Sequence, residues 1–234
     1  MKKRPALQWA AVLSAFVAAA VFGCSAVNPT VAALEKAKAF SAEGRYEAAA
    51  AVLVTCSEAE PGCGQLNLVT GNACYRLAKS AAAEGNKEEA ETRYRCAAAR
   101  LEAGIAQTAA REPSSARAQD YVNWCESLRN LQDLEKGGAA LQLSRRLLAA
   151  SEQFLAAEPG HPAAVYFQVG ARLAIVSPSL FAPADPAGLC RRLNRMIEDL
   201  QQAFPKAEGT RYEGNYRRLL ADVKGTRQAI AGCR

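Results

Sequence analysis

The chain has 234 residues, a formal net charge of +6, 7% aromatic residues and a hydrophobic fraction of 50% in which alanine is prominent. Its lysines and arginines are scattered among glutamates without a basic block, which argues against nucleic-acid binding. Small residues in such numbers favour close helix packing over β-sheets, which are rich in β-branched and aromatic residues. We therefore expect an all-α protein.

The first 23 residues have the pattern of an export signal. Lys2, Lys3 and Arg4 open the chain, and no charged residue occurs from Ala6 to Gly23. A basic start, an apolar run and small residues at its end are typical of a secretory signal peptide. The alternatives are an ordinary cleaved signal without lipid and an uncleaved anchor, although the run is short and alanine-rich for a permanent span.

The end of this run, "VFGC", resembles the bacterial lipobox, in which the cysteine is acylated and becomes the first mature residue. Phe22 is bulkier than the family usually has. The resemblance implies a lipid on Cys24, removal of residues 1–23 with their three cations, and a mature net charge of +3. Because Ser25 stands where aspartate would retain the protein at the inner membrane, it implies the outer membrane, periplasmic face. Residues 24–30 are predicted to form a tether.

The segment from Val31 to Pro61 is predicted to form a helical hairpin with its turn at Gly44. Leu53 and Cys56 are expected on the buried stripe of its second helix. This segment resembles a tetratricopeptide repeat (TPR), whose spacing is matched by Ala37, Gly44, Tyr46, Ala49 and Pro61. The resemblance implies a right-handed solenoid of helical hairpins over residues 31–176.

The next segments continue this pattern. A second, longer hairpin is predicted to turn at Gly85-Asn86, and a third, after the break "AREPSSARAQ", turns at Gly137-Gly138. A fourth unit begins at "HPAAVYFQVGARLAIV" and runs into a proline-rich linker over residues 177–186.

Residues 187–234 are predicted to form a C-terminal helical hairpin. The first helix is expected to end at Phe204-Pro205, and the junction continues to Tyr212. This junction weakly resembles the repeat junctions of BamD-type outer-membrane assembly lipoproteins.

The sequence contains no recognisable catalytic or cofactor-binding constellation. His161 is the only histidine, and its position before a helix beside Pro162 favours a structural role. Zinc-ligand spacing, a phosphate-binding loop and a hydrolase nucleophile motif are not found. We expect no cofactor, no metal and no enzyme activity.

The TPR resemblance implies a concave groove lined by the first helix of each hairpin. The predicted partner-binding residues are Lys38, Leu68, Asn72, Tyr75 and Arg76, which together could hold an extended peptide or its carboxylate. The alternative is that Tyr75 packs in the core and the two cations are solvated.

The cysteines beyond Cys24 are candidates for disulfides in an oxidising compartment. Cys74 and Cys96 are equidistant from Gly85, so an antiparallel hairpin places them side by side. The other candidate pairs are Cys56 with Cys63 and, on the two C-terminal helices, Cys190 with Cys233, whereas Cys125 is expected to stay unpaired in the core.

These features predict a membrane-anchored lipoprotein that binds an envelope protein or peptide in the groove. One alternative is an accessory lipoprotein that binds a small ligand within an envelope machine, for outer-membrane protein assembly or tripartite periplasmic solute transport. A periplasmic hydrolase is the alternative from another class. A closed apolar pocket would favour a ligand, whereas an open groove with exposed aromatic residues would favour a polypeptide.

Overall fold

The computed structural model describes residues 28–108, 117–180, 184–230 and 233. The predicted signal segment, Cys24 and most of the tether lie outside these ranges. So do the break between the second and third hairpins, over residues 109–116, and the middle of the proline-rich linker.

Within the described residues the chain forms nine α-helices and one 3-10 turn, without any strand. The α-helices are α1 Pro29–Ala42, α2 Tyr46–Ala50, α3 Cys63–Ala83, α4 Lys87–Thr108, α5 Ala118–Leu134, α6 Gly137–Ala157, α7 Pro162–Val176, α8 Pro186–Ala207 and α9 Glu213–Ala229, and the 3-10 turn is Ser177–Ser179. The all-α fold class is confirmed. No helix in the described ranges has both the length and the hydropathy required to cross a bilayer.

The first predicted hairpin is only partly formed, which corrects the sequence analysis. α2 has five residues, residues 51–62 are not helical, and Leu53 is 77% exposed. The β-branched residues of "VLVT" disfavour a helix here. In addition, a disulfide holds the Cα atoms of Cys56 and Cys63 5.7 Å apart, whereas residues seven apart on a helix are separated by about 10 Å.

The second hairpin, α3 with α4, has the predicted turn. Gly85 adopts a φ of +78°, a left-handed conformation that favours glycine. Cys74 and Cys96, each eleven residues from Gly85, form a disulfide with their Cα atoms 5.9 Å apart. The turn and this cysteine pair are therefore confirmed.

The two helices of this hairpin approach each other closely at glycines. A Cβ atom on Gly104 would lie 2.7 Å from Leu68 Cδ2 and 2.9 Å from the carbonyl oxygen of Gly64. Because no side chain larger than a hydrogen fits there, Gly104 sets the distance between α3 and α4.

From α3 to α9, each helix packs against the next one along the chain. Alternate helices also touch: α3 contacts α5, α5 contacts α7, and α7 contacts α9. We call the layer formed by α3, α5, α7 and α9 the inner helix layer. One continuous core runs from Ala49 to Cys233 and includes the unpaired, buried Cys125, as predicted.

The C-terminal helices continue this packing, since α8 contacts α7 and α9 contacts both α8 and α7. α8 extends to Ala207, so Pro205 lies in its last turn and does not end it. The Cys190–Cys233 disulfide is present with a Cα separation of 5.3 Å. Cys233, however, lies beyond the end of α9 rather than on the helix, which corrects its predicted position.

Candidate binding face on the inner helix layer

A row of hydrogen-bonded polar side chains joins α3 to α5 in the inner helix layer. Asn72 Nδ2 donates to Asp120 Oδ1 at 2.6 Å, and Asn123 Nδ2 donates to Asn72 Oδ1 at 2.7 Å. Gln119 Nε2 donates to Asn123 Oδ1 at 2.7 Å. We call these four residues the amide row. Asn123 is buried and Gln119 is exposed, so the row runs from the protein interior to solvent.

The carboxylate of Glu126 lies one helical turn from Asn123 on α5 and accepts three further interactions. The Tyr75 hydroxyl donates to Oε2 from α3. The Tyr212 hydroxyl donates to Oε1 at 3.1 Å, and Arg211 Nη2 lies 3.0 Å from the same oxygen. Glu126 therefore connects α3 and α5 with the segment that precedes α9.

Both phenols of this group remain protonated donors. Burial raises the pKa of Tyr75, and the hydrogen bond to Glu126 raises it further. Burial and the negative charge of Glu126 likewise raise the pKa of Tyr212. Both phenols of the cluster are consequently uncharged and donate hydrogen bonds to the carboxylate.

A cavity of about 280 Å³ adjoins both groups. Gln119 of the amide row and Arg211 of the Glu126 cluster line it, together with the apolar side chain of Val122 and the start of α7 at His161. An exposed amide and an exposed guanidinium thus face one open space. Such groups can bind peptide carbonyls or a carboxylate.

The structure does not bring the predicted partner-binding residues onto one accessible surface. Leu68 is buried against Gly104 of α4, and Tyr75, with 3% of its surface exposed, is buried with its hydroxyl on Glu126 of α5. Both side chains are buried because these positions of α3 face other helices. Asn72 is half-buried within the amide row.

The two predicted cations are exposed. Lys38 forms an ion pair of 2.9 Å with Glu35, and Arg76 lies on the surface of α3. The alternative weighed from the sequence, a core tyrosine with two solvated cations, describes the structure.

Sequence reasoning missed the residues on α5. Gln119, Asn123, Glu126 and Asn130 recur at spacings of four, three and four, so they form a polar stripe beside the apolar face of this helix. That stripe was a usable signal. No sequence signal pointed to Arg211 and Tyr212 as partners of Glu126, because they lie in a connection and reach Glu126 only through the folding of the whole chain.

His161 caps the N-terminus of α7, in line with its predicted structural role. Its Nδ1 accepts a hydrogen bond from the backbone nitrogen of Ala163 at 3.2 Å, and its ring lies 4.6 Å from that of Phe154. Burial lowers the pKa of His161, because the charged imidazolium is disfavoured there. No group of three or more potential metal ligands occurs in the part of the chain that the structure describes.

Comparison with known proteins adds no family assignment. No family model matches this chain, and no curated protein matches it. Its function is therefore inferred from the residues and the geometry described above.

Proposed function

We propose that this protein is a cell-envelope lipoprotein without catalytic activity that binds another envelope protein or peptide through its inner helix layer. The anchor in this proposal is a lipid on Cys24, and the localisation is the periplasmic face of the outer membrane. The signal-like segment 1–23 supports the anchor. The three disulfides support an oxidising compartment outside the cytoplasm.

In this proposal the helices form a TPR-type solenoid. Two features support it: long antiparallel helices pack in chain order, and alternate helices from α3 to α9 contact one another. In solenoids of this type the inner helices present an extended surface that binds polypeptides. The incomplete first unit, α1 with α2, would then cover the N-terminal end of the stack.

The observation that carries the proposal is the convergence of Gln119 and Arg211 on one open cavity beside the amide row. These groups come from positions about ninety residues apart. Gln119 donates to Asn123 and Arg211 pairs with Glu126, but both side chains are exposed and keep further polar atoms for a partner. A polypeptide supplies the complementary backbone donors and acceptors. Of the aromatic residues beside them, Tyr75 is buried and does not line the cavity, whereas Tyr212 is largely buried but lines it.

Site-specific photocrosslinking tests the binding face. A photoreactive amino acid at Gln119 is expected to give one discrete adduct in intact cells, and Arg211→Glu in the same chain should weaken it. The matched control is Thr92, an exposed residue of α4 outside the inner helix layer. Equal adducts from both positions, or none from Gln119, would contradict the proposal. The identity of the adduct separates an assembly or transport machine from another partner.

Metabolic labelling tests the anchor. Wild-type protein should incorporate a labelled fatty acid and sediment with outer membranes, whereas Cys24→Ala should do neither. A labelled Cys24→Ala chain, or wild-type protein free in the periplasm, would disprove lipidation at Cys24.

A further inference from the structure

A cavity of about 310 Å³ lies where α6, α7 and α8 meet, away from the candidate binding face. Its apolar lining comes from all three helices and consists of Leu148, Ile175, Val176 and Met196. Tyr166, whose ring contacts that of Tyr212, lies on a different side of α7 from the residues that line this cavity. The cavity is therefore a separate feature of the molecule.

Three arginines surround this apolar lining. Arg172 of α7 is held by Asp199 of α8, with Nη1 3.1 Å from Oδ2. Arg192 and Arg195, one turn apart on α8, are exposed and form no ion pair among the described residues. Asp199 neutralises one of the three cations, so the mouth of the cavity keeps two uncompensated positive charges.

An apolar pocket with a cationic mouth is complementary to an acyl chain that ends in an anion. Each methylene buried against the lining raises affinity about fourfold, and two guanidinium groups can bind one carboxylate through paired N–H donors. The volume lies near the lower end of the range for small-molecule sites, about 300–1,000 Å³, which excludes a whole diacyl lipid.

We propose that this cavity binds a free medium-chain fatty acid, with its chain between Leu148 and Met196 and its carboxylate at Arg192 and Arg195. This inference does not depend on the proposed protein-binding function, because it uses a different face of the molecule. A failure of either proposal leaves the other intact.

The methionines provide a reporter for the test. The sequence contains two, Met1 and Met196, and Met196 lies in the lining with 3% of its surface exposed. In full-length protein labelled with [¹³C-methyl]methionine, the Met196 signal should shift saturably as decanoate is added below its micellar concentration. Octanoate should bind about fifteenfold more weakly, since it lacks two methylenes. Decyltrimethylammonium, with the same chain and the opposite charge, should leave the Met196 signal in place.

Charge variants complete the test. Arg192→Gln with Arg195→Gln should lower decanoate affinity about tenfold while the circular dichroism is unchanged, because both side chains are exposed. Arg76→Gln with Arg218→Gln removes two exposed arginines elsewhere and should bind decanoate as the wild type does.

Three results would overturn the proposal: a Met196 signal that decanoate does not move, equal shifts with the cationic amphiphile, or undiminished affinity in the cavity variant. A response to phosphatidylglycerol vesicles but not to decanoate would show that a membrane head group, and not a free fatty acid, is bound.

Discussion

The hydroxyl of Tyr212 donates a 3.1 Å hydrogen bond to Glu126, a residue 86 positions earlier in the chain. Tyr75 donates to the other oxygen of the same carboxylate, so three distant parts of the sequence meet at Glu126. The segment before α9 is therefore joined to the inner helix layer at the carboxylate that Tyr75 also binds. The layer stays open beside it, where Gln119 and Arg211 line the cavity.

The bond from Tyr212 to Glu126 should contribute to stability. Tyr212→Phe removes the hydroxyl and leaves the half-buried carboxylate of Glu126 with one donor fewer, so we expect a loss of about 1–2 kcal/mol in the free energy of unfolding. Urea denaturation measures it. Tyr46→Phe, which alters a half-buried tyrosine of α2 outside this cluster, is the control and should be nearly neutral. A double-mutant cycle with Glu126→Gln that shows no coupling would refute the interaction.

Two glycines should respond to alanine with opposite signs. Gly104→Ala places a methyl group within 3 Å of Leu68 and of the α3 backbone, and should destabilise the protein by about 1–3 kcal/mol. Gly225→Ala, inside α9 where no atom lies within 4 Å of the added carbon, should stabilise it by about 0.5–1 kcal/mol. Thermal denaturation of both variants compares them directly. A Gly104→Ala variant as stable as the wild type would mean that α3 and α4 are not in close contact at Gly104.

The disulfide between Cys74 and Cys96 closes a loop with a sequence separation of 22. Replacing both cysteines by alanine should lower stability by about 3 kcal/mol, chiefly because the unfolded chain gains freedom.

Mass spectrometry of unreduced digests should recover this pair as well as Cys56–Cys63 and Cys190–Cys233. Cys125 should react with iodoacetamide only after unfolding, because burial raises the pKa of its thiol and hides it. A peptide linking Cys74 to Cys125 would mean that the turn at Gly85 is misplaced.

His161 should make stability depend on pH. Its pKa is lower in the folded than in the unfolded protein, so the unfolded state binds more protons as the solution is acidified. The contribution of neutral His161 to the stability of the folded protein is therefore complete above the unfolded pKa of about 6.5. It is lost as the pH falls through the folded pKa of His161.

His161→Asn provides the matched variant, because asparagine keeps a capping acceptor but does not titrate. The wild type should lose more stability than the variant between about pH 7 and 5, measured by urea denaturation at each pH. As His161 is the only histidine, no other imidazole contributes. Parallel profiles would contradict the lowered pKa of His161.

The features that sequence predicted are those set by local chemistry. Alanine-rich apolar periodicity specified helices, and Gly85 marked a turn because a left-handed backbone favours glycine. Given that turn, an antiparallel hairpin necessarily places Cys74 opposite Cys96. These relations involve neighbours along the chain or across a single hairpin.

Helical periodicity left two features open, and the tertiary structure decided them. Leu53 fits a helical stripe by sequence, yet the local disulfide and the β-branched residues around it give an exposed, non-helical segment. Tyr75 has the same amphipathic side chain whether it faces a groove or the core. In the structure it is buried, and its hydroxyl donates to Glu126, the residue that Arg211 and Tyr212 reach from more than 130 residues later in the chain. Periodicity identifies which face of a helix is polar, but packing between helices far apart in the chain determines whether that face meets solvent or another part of the protein.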